Sequence, residues 1–122
     1  MRLRELQQQQ NEWSRRNFGK QPAYRSLLGA VEELGELCHA HLKGEQGIRG
    51  SQEKHLLDAE DAVADTVIFL ASYCNSMGFD LESIVERTWN TVKTRDWRTD
   101  TVTAGTGIIA VQDEYKQEDA TK

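Results

Sequence analysis

Apolar positions along this chain recur at helical intervals of three and four residues from the start to about residue 97. A first segment, about 2–16, spaces Leu3, Leu6 and Trp13 in this way, and the glutamine run Gln7 to Gln10 inside it is too short to act as low-complexity sequence. Residues 17–22 break the pattern, and Pro22 suits the opening turn of the next helix. A second helix, about 22–43, sets Leu27, Val31, Leu34, Cys38 and Leu42 on one stripe. Gly44, Gly47, Gly50 and Ser51 mark a loop over 44–54, a plausible lid or substrate-facing segment. A third helix, about 55–77, is apolar on more than one side and is expected to be the most buried, with Leu56, Val63, Val67, Leu70 and Cys74 flanked by Ile68 and Phe69.

Met77-Gly78-Phe79-Asp80 reads as a helix–helix junction. Gly78 can take the left-handed position that closes one helix, Asp80 can cap the next, and Phe79 can staple onto Ile84. The fourth helix, about 81–97, carries Leu81, Val85, Thr88 and Val92 on one stripe, with Trp89 beside it. From Arg98 the pattern dissolves into Thr, Gly and acids around one apolar patch, Ile108 to Val111, which reads as an extension either mobile or docked on a partner subunit. Four helices with short links predict an all-α four-helix bundle over 1–98, followed by a less ordered tail, 99–122.

Composition narrows the class. The 122 residues are 38% hydrophobic and 29% charged with Gly 9 and Pro 1, which excludes collagen-like, low-complexity and mostly disordered chains. No apolar run approaches the roughly 18 residues of a membrane span. The N-terminus carries no apolar leader, so no membrane role and a cytoplasmic location are expected. Cys38 and Cys74 form no Cys-x-x-Cys pair and are expected to be reduced core residues. Asp+Glu 20 against Lys+Arg 15 gives a net charge of −5, which argues against a nucleic-acid partner and toward bound cations.

The placement of the acids matters more than their number. Glu32, Glu33 and Glu36 fall three and four residues apart on the second helix, and Asp58, Asp61 and Asp65 do so on the third. Like charges at these spacings repel unless a positive group lies among them. Asp65 directly precedes Thr66-Val67-Ile68-Phe69-Leu70, where an ionised carboxylate is costly unless paired or bound to metal. Two such helices face to face offer an all-oxygen site for a hard cation, Mg²⁺ first and Mn²⁺ as an alternative. Gly35 inside the cluster suggests a close approach. Asp58, Glu60 and Glu45 read as solvated acids, and His39 and His41 as surface residues. Glu36-Leu37-Cys38-His39 is a Glu-x-x-His, but di-iron bundles need that motif on two helices and here it occurs once.

Glu-Glu-x-x-Glu at 32–36 followed by Ala-Asp-Thr-Val-Ile-Phe-Leu at 64–70 resembles the MazG-like nucleotide pyrophosphohydrolases, the all-α group that includes dimeric dUTPases and dCTP pyrophosphatases. The resemblance runs from about Trp13 to Trp97 and takes in Arg16-Asn17-Phe18, Gly78-Phe79-Asp80-Leu81 and Lys93-Thr94-Arg95-Asp96-Trp97, in that order. The family pattern is Glu-x-x-Glu on one helix and Glu-x-x-Asp on the next. Glu33, Glu36 and Asp65 match it; position 62 is alanine, and Asp61 is the natural stand-in.

The resemblance implies a Mg²⁺-dependent hydrolysis of a nucleoside triphosphate to the monophosphate and pyrophosphate. It implies metal binding by Glu33, Glu36, Asp61 and Asp65, and a water oriented or deprotonated by Glu32. It also implies phosphate contacts from Lys93 and Arg95, base contacts from Asn17, Phe18 and Trp13, and a homodimer or homotetramer. Two other classes stay open. One is a regulatory or nucleotide-binding module that kept the fold and lost catalysis, which Ala62 favours. The other is a purely structural dimerising bundle.

Overall fold

The computed structural model describes residues 1–98. These form four helices and no strand: α1 (Leu3–Phe18), α2 (Ala23–Gln46), α3 (Gln52–Met77) and α4 (Leu81–Val92). The all-α reading therefore holds, while the expected role of the patch 108–111 lies outside the described residues. The chain divides into two compact units, Met1–Ile84 and a second beginning at Val85.

In the first unit α3 packs along α2 and against α1. The loop between α2 and α3 is shorter than the glycines suggest, because α2 runs on to Gln46 and α3 begins at Gln52. Ser51 caps α3, its hydroxyl oxygen accepting from the Lys54 amide at 3.1 Å. His55, buried, reaches back to the Ile48 carbonyl at 2.9 Å and fastens the loop. At the far end Gly78 takes φ 70° and ψ 24°, and the Phe79 amide donates to the Cys74 carbonyl at 2.9 Å, the left-handed stop expected there. The Phe79 ring lies edge-on to Tyr73, with centroids 6.2 Å apart.

The glutamine run carries more structure than its composition suggests. Gln7 donates to the Phe79 carbonyl at 2.7 Å and accepts from the Leu81 amide at 2.8 Å, closing the start of α4. Asn75 donates to the Gln7 carbonyl and to Gln10 Oε1. Arg4 donates to Asp80 at 2.7 Å and Arg2 to Glu82 at 2.9 Å.

The core is built from small side chains. Among the described residues Ala30, Ala40, Ala62, Ala71, Cys74 and Leu81 are buried, and no large side chain is fully so. Along α2 the inward seam is Ser26, Ala30, Glu33, Leu37, Ala40 and Gly44, at steps of four and three. The large apolar stripe of α2 lies beside that seam and faces outward. Leu27, Val31, Leu34 and Leu42 are exposed, Val31 by 66%, and so is Cys38, which is not a core residue as its place on the stripe suggested. The same holds on α3, where Leu56, Leu57, Val63 and Leu70 are exposed, so α3 is not the sealed helix its composition predicts. Alanine and glycine let α2 and α3 approach closely, and that geometry turns the bulkier residues away.

Two glycines of α2 contrast. A Cβ on Gly29 would lie 2.3 Å from Phe69 Cε1, so that glycine is required by the ring seated on it. Among the described residues a Cβ on Gly35 would meet nothing within 4 Å, so the close approach expected there does not occur among them.

In the second unit α4 stops at Val92, five residues short of the expected end. Thr94 Oγ1 donates to the Thr91 carbonyl at 2.7 Å, one of the local hydroxyl–backbone bonds that compete with helix continuation. Among the described residues no helix is long and apolar enough to cross a membrane.

Candidate active site between the first three helices

A cavity of about 790 Å³ opens between α1, α2 and α3. Trp13 and Phe18 of α1 stand on one side, edge to face with centroids 5.6 Å apart, and Ile68 and Phe69 of α3 contribute to the apolar lining. Glu33 and Asp65 line the same space. A second hollow, about 340 Å³, is bounded by Glu36, His39, Asp58, Asp61, Ala62 and Asp65. Asp65 lines both spaces.

Helix periodicity explains the grouping. Glu33 sits on the inward seam of α2 and Glu36 follows one turn later. Ala62 lies on the inward face of α3, 2% exposed, and Asp65 follows three residues later. Asp65 is itself exposed, so the apolar run that follows it in sequence does not bury it. The run turns its large side chains to other faces of the helix.

Glu33 is the electrostatic centre of the group. Its Oε2 is buried with no hydrogen-bond partner. Its carboxyl titrates above the usual range, first because of desolvation, then through repulsion by Glu36, whose side chain adds to the rise. Asp65 and Glu32 push in the same direction. Four acids on two helices thus act on one another.

The remaining expected residues divide. Trp13, 50% exposed, and Phe18, 60% exposed, stand in the cavity wall. Asn17 lies in the last turn of α1, where its amide donates to the Trp13 carbonyl at 2.7 Å and it lines neither space. Glu32 is exposed and also lines neither. Asp58, in the second hollow, is paired with Lys54 at 2.7 Å, as a solvated acid would be. His39 and His41 are exposed as expected. Lys93 and Arg95 belong to the second unit; the Lys93 amide donates to the Trp89 carbonyl at 2.9 Å, and the Arg95 guanidinium lies 5.8 Å from the Trp97 ring centroid.

Several cavity residues carry no motif signal. Ser26 donates to Ser72 across α2 and α3 at 2.8 Å. Gln21 and Arg25, hydrogen-bonded to each other, line the cavity at the start of α2. Only the fold brings these together.

Among the described residues no three or more His, Cys, Asp or Glu side chains converge closely enough to hold an ion as they stand. The chemistry of the set still fits a cation: a buried unpartnered carboxylate oxygen, surrounded by like charge, is what a hard metal ion would relieve. Comparison with protein-family models, with curated proteins and with solved structures gave no significant match.

Proposed function

We propose that this chain is a Mg²⁺-dependent nucleoside triphosphate pyrophosphohydrolase of the MazG-like all-α type, yielding the nucleoside monophosphate and pyrophosphate. One observation carries the reading: a single cavity is lined by an aromatic pair, Trp13 and Phe18, and by carboxylates of two helices, Glu33 and Asp65. A nucleotide needs both, a π-face for its base and a cation-loaded acidic patch for its phosphates.

Glu33, Glu36 and Asp65 would hold the metal, with Asp61 as the fourth carboxylate. Bound Mg²⁺ offsets phosphate charge and makes a water more acidic. Trp13 and Phe18 hold the base, and the apolar lining from Ile68 and Phe69 excludes bulk water. The oxygen of the attacking water bonds to phosphorus as the phosphoanhydride bond breaks toward pyrophosphate, and Glu32, which lines neither space, would receive the proton through an intervening water. The exposed leucines and valines of α2 and α3 are covered by a second copy, in a homodimer or homotetramer.

Ala62 favours a second reading, a nucleotide-binding module without turnover, because the position of the family's missing glutamate is packed inside at 2% exposure. Pyrophosphate release from the common ribo- and deoxyribonucleoside triphosphates with Mg²⁺ separates the two. Release from at least one nucleotide is expected. Binding with no release would establish the module.

A further inference from the structure

We infer that Arg25, held by Gln21, is the base-selecting residue of the cavity and favours a nucleobase bearing a ring carbonyl over adenine. The inference rests on the nucleotide reading above and adds the substrate class. Arg25 lines the cavity that Trp13, Phe18, Glu33 and Asp65 also line. Eight residues of α2 separate it from Glu33, about 12 Å along the axis at 1.5 Å per residue. Phosphates held near Glu33 and Asp65 therefore leave Arg25 at the far end, beside the aromatic pair, where the base lies.

Its setting is prepared and otherwise unexplained. The Gln21 amide is fixed at both ends, its nitrogen donating to the Phe18 carbonyl at 2.7 Å and its oxygen accepting from Arg25 Nη1. That leaves guanidinium donors for another acceptor, and among the described residues Arg25 forms no ion pair although the chain has Asp+Glu 20. Arg25 also stands in the first turn of α2, which holds no acid. A cation there opposes the helix dipole, so stability of the helix does not account for it.

A guanidinium presents only donors. Guanine O6, cytosine O2 and uracil O2 or O4 accept from it. Adenine has no carbonyl and offers an amino donor at the corresponding edge, which opposes the guanidinium.

The test uses the full chain and Arg25→Ala, with Arg25→Lys as the conservative variant. Initial rates of pyrophosphate release with Mg²⁺ are measured for dATP, dGTP, dCTP and dUTP. In parallel, dissociation constants are measured by calorimetry for dAMP, dGMP, dCMP and dUMP. At least one carbonyl-bearing base is expected to exceed adenine by about 10- to 100-fold, the effect of one charged hydrogen bond. Arg25→Ala is expected to remove that preference, with a larger loss for the preferred base than for dATP and dAMP, and Arg25→Lys to restore part of it. Arg25 is exposed, and equal helical circular dichroism in both variants checks that the fold is kept. A uniform loss across all bases, or a preference intact in Arg25→Ala, overturns the inference. Absence of pyrophosphate release with base-dependent binding through Arg25 refutes the catalytic reading alone. Equal binding of all four monophosphates together with no release overturns the inference.

Discussion

Gly29→Ala tests the packing that shapes the cavity. The new methyl carbon would lie 2.3 Å from Phe69 Cε1 and 2.6 Å from both Cδ1 and Cζ. Carbon atoms prefer separations of about 3.5–4.0 Å, so the ring must retreat by more than about 1 Å. Overpacking of this kind costs about 1–3 kcal/mol, and three ring atoms met at once place it in the upper part of that range. Alanine returns about 1 kcal/mol of helix propensity, leaving a net loss of about 1–2 kcal/mol. At about 4–8 °C per kcal/mol for a unit of this size, Tm falls by about 4–16 °C. The assay is a circular-dichroism melt of Gly29→Ala, Phe69→Leu and the double variant. The two substitutions should couple, the double variant losing less than the sum of the singles, because leucine vacates the space the methyl needs. Phe69 lines the cavity proposed to bind the nucleotide, so KM should rise in Gly29→Ala as well. Strict additivity, or a Gly29→Ala protein as stable as the parent, would refute the contact.

Other expectations follow from charge and exposure. Because the Glu33 carboxyl is raised in the folded state, its contribution to stability is present below the ordinary carboxylate range and is lost as pH rises through its raised value. Without metal, the Tm of Glu33→Gln relative to the parent should therefore increase over that window, and Mg²⁺ should shrink the difference; a pH-independent difference would contradict the clustering. Asp80 behaves oppositely: the Arg4 hydrogen bond, aided by Ser83, holds its carboxyl below the usual range, so its stabilisation is present above that range and lost as pH falls through its lowered value. Arg4→Ala should flatten the acid limb of the stability–pH curve, read by urea titration at several pH values. Light scattering at micromolar concentration should return at least twice the 13.9 kDa chain mass, since Val31, Leu34, Leu56 and Val63 stand exposed on a single copy; a monomer would refute that assembly.

What the sequence makes legible follows from the range of the interactions involved. Helix existence, the Gly78 stop and the one-turn spacing of Glu33 and Glu36 are local, and each is visible in a few neighbouring residues. Which face of a helix turns inward is not local. The stripe through Leu27, Val31, Leu34, Cys38 and Leu42 is the strongest apolar signal on α2, yet the seam one residue earlier in each turn packs against α3, because its alanines and glycine permit the closer approach. Periodicity cannot separate a core face from one left for a partner. The motif places Asn17 among the base contacts, and only the structure shows that its amide donates to the Trp13 carbonyl in the last turn of α1. Arg25, Ser26 and Ser72 carry no motif, and only the meeting of α2 with α3 gives them a common site.

The central claim, that carboxylates of two facing helices support metal-dependent hydrolysis, is tested most directly by Asp65→Asn against Asp58→Asn. Both aspartates are exposed on α3 and line the same hollow, but Asp58 is already paired with Lys54 and Asp65 acts on Glu33. The measurement is Mg²⁺-dependent pyrophosphate release, with circular dichroism to confirm the fold of each variant. Asp65→Asn should abolish turnover while Asp58→Asn retains it within a few-fold. Full activity in a folded Asp65→Asn protein, or equal loss in both variants, would contradict the account.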